Sequence, residues 1–377
     1  MEVQQLAHKY ELYGCVQCGK CTGSCPVSLK SDLQIRRLVY DAISGYGDKF
    51  ASERKGIWDC TTCGTCELRC PKSTKPVDFI CELRSYVIEK GKIPATLRTA
   101  LESVVKHKNP WNKPAVKRTD WAKEINIKRF DNNDKSDMLL YIGCTPSYDP
   151  RCQKIAIALV KIFNNLNIDF GILGNEECCC GNEMKKMGEF GLFEYLAEDN
   201  ISTFKKYGIK KLVTISPHCY NTFKNDYQKF DMEPEVKHYT EYLSKLAETG
   251  KLRLNKSDPS RVVVYHDPCY LGKRNKIFDA PRKLLSNIKG IELKEFDRAK
   301  ERSVCCEGGG GRMWLESTPG VVRLSEQRVE EALELGVDTV VTSCPFCLIN
   351  LEDAVKTTGN EEKIRVMDVA ELVAELL

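Results

Sequence analysis

The chain has 377 residues, 42% hydrophobic and 29% charged, which is enough for two or three globular domains and too apolar for a disordered chain. Its 57 Lys and Arg against 53 Asp and Glu leave a formal charge of +4, so there is no electrostatic basis for binding nucleic acid or a broad anionic membrane. The longest apolar runs, such as Ile155 to Val160, fall far short of the roughly 20 residues a membrane span needs. Met1 to Gln5 show neither a basic nor an apolar leader. The expected location is therefore cytoplasmic, with membrane association only through a partner subunit.

Twenty cysteines dominate the composition. A chain this long builds its own core, and cysteines in an unexported protein point to metal rather than disulfides. Cys15, Cys18, Cys21 and Cys25 form C-x2-C-x2-C-x3-C followed by Pro26. Cys60, Cys63, Cys66 and Cys70 repeat the run before Pro71. Two cubane [4Fe–4S] clusters suit this pattern: a tight loop turns three sulfurs inward, and the fourth cysteine serves the other cluster. The expected sets are Cys15, Cys18, Cys21 and Cys70, and Cys60, Cys63, Cys66 and Cys25. Zinc knuckles would leave the third and fourth cysteine of each run unused.

Between the motifs, Ile35, Leu38, Val39, Ala42, Ile43 and Tyr46 make a helical stripe, with Ser31 or Asp32 as its cap and Gly45 and Gly47 at its end. A second helix is predicted from about Asp78 to Lys90, with Gly91 beyond. Its Cys81, opposite the Phe79/Leu83/Tyr86/Val87 face, is expected to be an unliganded thiol. Residues 1–91 thus resemble the helical ferredoxin domain of succinate dehydrogenase iron–sulfur subunits. Residues 92–137 hold one periodic stretch, Leu97–Val105, and then prolines, charges, Trp111 and Trp121. They read as a linker with aromatic packing anchors.

The remainder is a duplication, 138–250 and 251–377. Cys144 recurs as Cys269, Cys179–Cys180 as Cys305–Cys306, and Cys219 as Cys347, each roughly 125 residues later. Ser216 stands where the counterpart of Cys344 is due. Short apolar strands at Met138–Ile142, Leu212–Ile215, Val262–Tyr265 and Thr339–Thr342 run into these cysteines, and helical stretches such as Ile155–Asn164 and Glu326–Leu335 separate them. Alternating strand and helix predicts α/β units with mainly parallel sheets, and the cysteines fall in the loops after strands, where such sheets bind ligands.

The second repeat reads C-x35-C-C-x37-C-x-x-C, and is accompanied by His266-Asp267-Pro268-Cys269-Tyr270-Leu271-Gly272 and Gly308 to Gly311. This resembles the cysteine-rich CCG domain. The order of ferredoxin module and two CCG repeats is similar to the D-type subunit of heterodisulfide reductases, and to iron–sulfur subunits of lactate, glycolate and electron-transfer-flavoprotein-linked enzymes. The resemblance implies a non-cubane [4Fe–4S] cluster on Cys269, Cys305, Cys306, Cys344 and Cys347. It leaves the first repeat, with Cys144, Cys179, Cys180 and Cys219 but Ser216, with an altered cluster or none. Glu307 replaces the family's usual Gly, where its charge is expected to make the cluster harder to reduce.

Cys178 is the extra member of its triplet, Cys152 a core thiol. The glycine run suits close backbone approach to a cluster. His218 and His266 are candidate proton donors to a departing thiolate, against a structural role in their loops. Lys273, Arg274 and Arg312 are candidate holders of an anionic thiol or a partner. The favoured expectation is reduction of a disulfide, CoM-S-S-CoB or related, by electrons passing through the cubanes. The alternative is a relay for a flavoprotein dehydrogenase. With no flavin or dinucleotide fingerprint, the donor must be another subunit, a flavoprotein or membrane cytochrome.

Overall fold

The computed structural model describes residues 3–46, 55–257, 259–316 and 321–377. The N-terminal module is helical. Helices Val3–Lys9, Ile35–Ile43 and Pro76–Glu89 bury Leu6, Leu38, Val39, Phe79 and Leu83 in a shared core. Neither Ser31 nor Asp32 caps the Ile35–Ile43 helix. Gln34 holds that position without a side-chain bond, while Ser31 Oγ accepts from Leu33 N at 3.1 Å. Gly45 follows the helix at φ +80°, and Gly47 lies outside the described residues. Pro76, at a first-turn position where its missing N–H costs nothing, starts the second helix two residues before the expected Asp78. Cys81, opposite the Phe79/Leu83 face, is buried as well, because Gly188 of the first repeat packs against that side. A Cβ on Gly188 would sit 2.4 Å from Ser85 N and 2.8 Å from the Cys81 carbonyl oxygen.

The C-terminal part holds two parallel sheets. The first joins β1 (Lys128–Arg129), β2 (Leu139–Tyr141), β3 (Gly171–Ile172), β4 (Lys211–Thr214) and β5 (Glu235–His238) in the order β1-β3-β2-β4-β5. The second joins β6 (Arg261–Tyr265), β7 (Ile291–Lys294), β8 (Thr339–Thr342) and β9 (Arg365–Asp368) in the order β7-β6-β8-β9. Apart from β1, the two orders superpose strand for strand, and every pairing is parallel. The strands are Val-, Ile-, Leu- and Thr-rich because helices cover them: Pro150–Asn165 and Phe190–Lys206 in the first repeat, Leu324–Glu334 and Pro345–Thr357 in the second.

Residues 92–137 are more than a linker. They contain the helix Ala95–His107, and β1 pairs with β3 at the sheet edge. A two-residue strand carries too short a period for its sequence to announce it. Trp121 is buried in the core that spans both sheets, and Trp111 stands edge-on to Trp314 with ring centres 6.4 Å apart. The repeats are tied together by Arg151, which reaches Glu352, Glu371 and the Val366 carbonyl, and by Tyr239, whose hydroxyl donates to Asp368 at 2.6 Å. This packing turns the carboxyl ends of both sheets, and with them the cysteine loops, toward each other and toward the ferredoxin module.

Candidate metal centres

The two ferredoxin loops share one backbone device. Gln17 and Gly19 in the first, and Thr62 and Gly64 in the second, take positive φ between 53° and 79°. These left-handed turns curl each loop around its sulfurs. In each, an amide two residues on donates to the first cysteine: Gln17 N to Cys15 Sγ and Thr62 N to Cys60 Sγ, both at 3.4 Å. The same bond recurs at Gly181 N to Cys179 Sγ, 3.4 Å, and Glu307 N to Cys305 Sγ, 3.3 Å. Such donors favour the thiolate, the form that ligates metal.

Cys15, Cys18, Cys21 and Cys70 line one recess. Cys18 is exposed, and the other three are half-buried. The second group lies deeper: Cys60, Cys63 and Cys66 are buried, and Cys25 is close enough to raise the thiol pKa of Cys60 and Cys66. Burial pushes Cys60 up to about 12, against the pull of the Arg84 guanidinium.

In the second repeat the sulfurs form a chain of contacts. Cys269 meets Cys305, which meets Cys306; Cys306 and Cys347 are 3.2 Å apart, and Cys347 meets Cys344. A ring nitrogen of His266 joins Cys306 and Cys347, the three ligand atoms lying within 4.8 Å of one another. His266 is buried, and its Nδ1 has no hydrogen-bond partner. At one end the chain of contacts crosses into the ferredoxin module, since Cys305 is in hydrogen-bonding contact with Cys63. That bond from Cys305 pulls Cys63 well below the thiol range against burial, with the Lys273 ammonium adding to it. At the other end it crosses into the first repeat: Cys344 meets His218. Burial opposes ionisation of Cys344, but bonds from Cys347 and His218 prevail and bring it to about 6. His218 is stacked on Tyr270 at 4.1 Å, and its Nδ1 lies 3.1 Å from Glu183 and from Asn182.

The first repeat shows a parallel chain, Cys144–Cys179–Cys180–Cys219. Cys178 stands outside it, its thiol against Asp199. Ser216 Oγ is occupied as a helix cap, accepting from His218 N at 3.2 Å. A residue the sequence did not mark, Arg118, reaches this site from the connecting segment. Fully buried, it donates to Cys144 Sγ at 3.4 Å and pairs with Glu177 at 2.8 Å. Cys152 is the expected core thiol, with its sulfur facing the Pro345 carbonyl.

Several charged residues have other duties than expected. Lys273 donates to Thr65 Oγ1 (2.8 Å) and the Ser303 carbonyl (2.5 Å), Arg274 to the Thr62 carbonyl and Glu67, and Arg312 to Asp59. All three fasten the second ferredoxin loop to the second repeat, because that loop packs where a thiol or a partner was expected. Glu307 does not leave a free charge beside the cysteines. It pairs with Lys30 at 2.5 Å and accepts from Leu324 N at 2.9 Å. Its φ of +70° explains why Gly suits this position. The glycine run approaches the ferredoxin loop: a Cβ on Gly309 would lie 2.7 Å from Thr61 O, and one on Gly310 2.5 Å from Cys60 O.

The donor set fits iron–sulfur groups on a further count. Arg84 is completely buried and donates to four carbonyls, and Lys273 is buried beside Cys63; neither has a carboxylate within ion-pair distance among the described residues. Unbalanced buried cations are costly, and an anionic thiolate-bound cluster would balance them.

Comparison with known proteins agrees with this layout. Residues 11–74 match the 4Fe-4S dicluster domain family, and residues 138–224 and 263–352 the cysteine-rich domain family. A Bacillus subtilis protein named "Probable iron-sulfur-binding oxidoreductase FadF" is 35% identical over 97% of this chain and 60% of its own length. The EtfAB:quinone oxidoreductase of Syntrophomonas wolfei is 32% identical over 96% of this chain and 58% of its own. The chain thus spans about three fifths of these two proteins. The D-type subunit of the Methanosarcina barkeri dihydromethanophenazine:CoB–CoM heterodisulfide reductase is 33% identical over 78% of this chain and 71% of its own. A hypothetical protein of Helicobacter pylori shares the fold, with a TM-score of 0.53 at 10% identity over 91% of this chain and 68% of that one. No helix among the described residues is long and apolar enough to cross a membrane. A dicluster module joined to two cysteine-rich domains, at these identities, assigns the chain to the redox-active iron–sulfur oxidoreductase family that includes the D-type subunits of heterodisulfide reductases.

Proposed function

We propose that the chain is the electron-transfer iron–sulfur part of a flavoprotein-linked oxidoreductase, exchanging single electrons between a flavin-bearing partner and the second cysteine-rich repeat. The observation that carries this reading is the contact between Cys63 and Cys305, which joins the second ferredoxin loop to the five-cysteine site without intervening protein. When bound, two cubane clusters on Cys15/Cys18/Cys21/Cys70 and Cys60/Cys63/Cys66/Cys25, and a non-cubane cluster on Cys269/Cys305/Cys306/Cys344/Cys347, would supply reversible one-electron couples. Cys144, Cys179, Cys180 and Cys219 would hold an altered cluster. Around these sets, Arg84 and Lys273 balance negative charge, and Arg274 and Arg312 hold the two sites in register. His218 keeps a donor on Cys344, and buried side chains exclude water from the junction. The kinship with EtfAB:quinone oxidoreductase, over nearly the whole chain, supports a flavoprotein partner.

Reduction of a disulfide to two thiols, consuming two electrons and two protons, is the second reading. It is favoured by the complete five-cysteine set and by a recess at Cys144, Cys180 and Cys219 closed by His218, Phe346 and Trp314. In it, His218 or His266 would donate protons. The test uses anaerobic holoprotein with reduced electron-transfer flavoprotein and, separately, with reduced viologen and the CoM–CoB heterodisulfide. The relay reading expects rapid reduction by the flavoprotein and no thiol release. Catalytic thiol release with no flavoprotein reaction would replace it with the second.

A further inference from the structure

Of the large hydrophobic side chains exposed among the described residues, more than half lie in the first 68 residues: Tyr13, Val16, Leu29, Tyr40, Tyr46 and Leu68. One of these lines the recess of the shallower cysteine group and two lie near it in the chain. Val16, 58% exposed, sits between Cys15 and Cys18; Tyr13 precedes them; and Tyr40 lies one helical turn from Arg36, which lines the same recess. The charged residues of that recess are Lys20, Arg36 and Lys72. All three are exposed, none forms an ion pair among the described residues, and no carboxylate lines the recess. The stem of Arg36 passes over Gly19, where a Cβ would come within 3.8 Å of its Cδ, so one cation lies above the loop. Other surface cations are held in ion pairs, as at Lys128–Asp169, Lys206–Glu176 and Lys229–Glu194, whereas here three cations unpaired among the described residues converge on one recess.

An apolar centre ringed by unpaired cations, over Cys18, the one exposed cysteine of the two ferredoxin runs, has the anatomy of a transient redox interface. We propose that the surface around Cys18 is the docking face for an acidic, flavin-bearing redox protein, with Val16 and Tyr40 at its centre and Lys20, Arg36 and Lys72 at its rim. The proposal rests on the electron-transfer reading above and adds the place and charge of the partner. In the exchange one electron leaves the partner's reduced flavin and one arrives at the Cys15/Cys18/Cys21/Cys70 set; no covalent bond forms or breaks. The cations steer encounter and the apolar centre sets orientation.

The test uses anaerobic holoprotein and two-electron-reduced flavodoxin, an acidic flavoprotein, as the probe. Stopped-flow second-order rate constants are measured across a salt series. For the unmodified protein the rate should fall about tenfold or more from low to high salt. Lys20→Glu/Arg36→Glu/Lys72→Glu should lower the low-salt rate about tenfold and flatten its salt dependence. Lys251→Glu/Lys363→Glu, exposed ahead of β6 and β9 at the far end of the second sheet, should behave as the unmodified protein. A salt-independent rate in the unmodified protein, needing no variant to fold, would overturn the proposal. So would equal losses in both variants, or capture of the protein by phosphatidylserine vesicles through this patch with an unchanged flavodoxin rate. Dithionite reduction of the same samples, read by EPR, separates the two layers. Absent dithionite-reducible signals refute the electron-transfer reading and the docking face with it; intact signals with a salt-independent flavodoxin rate refute the docking face alone.

Discussion

Replacing Arg84 by Met should uncouple the three parts of the molecule. The guanidinium donates to Ile57 O (3.0 and 2.7 Å) and Cys60 O (2.7 Å) in the ferredoxin loop, to Lys186 O (2.7 Å) in the first repeat and to Gly310 O (3.0 Å) in the second. Met keeps the length of the stem, which packs near Trp58, but leaves four buried carbonyls without this donor. Hydrogen bonds to a charged group are worth about 1.5–3 kcal/mol each, and bonds sharing one donor group are far from additive. Counting about one effective bond for each of the two joints, loop to first repeat and loop to second repeat, gives a loss of about 3–6 kcal/mol. The variant also removes the cation that lowers the Cys60 thiol. Anaerobic guanidinium unfolding of the holoprotein, followed by tryptophan fluorescence and by cluster absorbance, measures the loss. Arg84→Lys, which keeps the charge without the fork, should fall between. Arg84→Met within about 1 kcal/mol of the unmodified protein would refute the clamp, because surface substitutions alone reach that range.

His218→Phe removes the donor on Cys344 and should lower the midpoint potential of the second-repeat signal in an EPR redox titration, with His218→Gln recovering part of it; an unchanged potential would remove His218 from the site. Glu307→Ala keeps a strained positive φ and loses both the Lys30 pair and the Leu324 contact, whereas Glu307→Gly also relieves the strain. The Ala variant should therefore unfold more readily than the Gly variant by about 1 kcal/mol, and the reverse order would contradict the backbone argument. Burial raises Asp368 to about 8, so the folded state holds a proton that the unfolded chain releases near pH 4, and stability should decline as pH rises through that window. Asp368→Asn keeps an acceptor for Tyr239 and Ala370 and should flatten the decline; an equally steep slope in thermal melts from pH 5 to 8 would argue against a protonated Asp368.

What could be read from the sequence was what is local. The doubled cysteine run, the strands ending at Cys144, Cys219, Cys269 and Cys344, and the parallel sheets rest on spacings of a few residues, and the structure shows them nearly where expected. What was missed depends on distant partners. Lys273, Arg274 and Arg312 looked like substrate holders because sequence gives a cation's charge but not the acceptor it meets more than 200 residues away: a Thr65 hydroxyl, the Thr62 carbonyl and the Asp59 carboxylate. Arg118 carried no signal at all, since the turn around it lacks periodicity and its target, Cys144, lies in another element. Glu307 was recognised as a departure from Gly, but only the fold shows Lys30 waiting for its carboxylate.

The most direct test of the central claim, that electrons pass from the ferredoxin loops to the second repeat at the Cys63–Cys305 contact, is rapid-freeze-quench EPR. Holoprotein and a Cys305→Ala variant are each mixed with a reduced flavoprotein and frozen over a time series. In the unmodified protein the ferredoxin-type signals should appear first and the second-repeat signal should follow. In the variant the first signals should appear on schedule and the later one should be missing. A second-repeat signal that appears before the ferredoxin signals, or that persists unchanged without Cys305, would contradict the account.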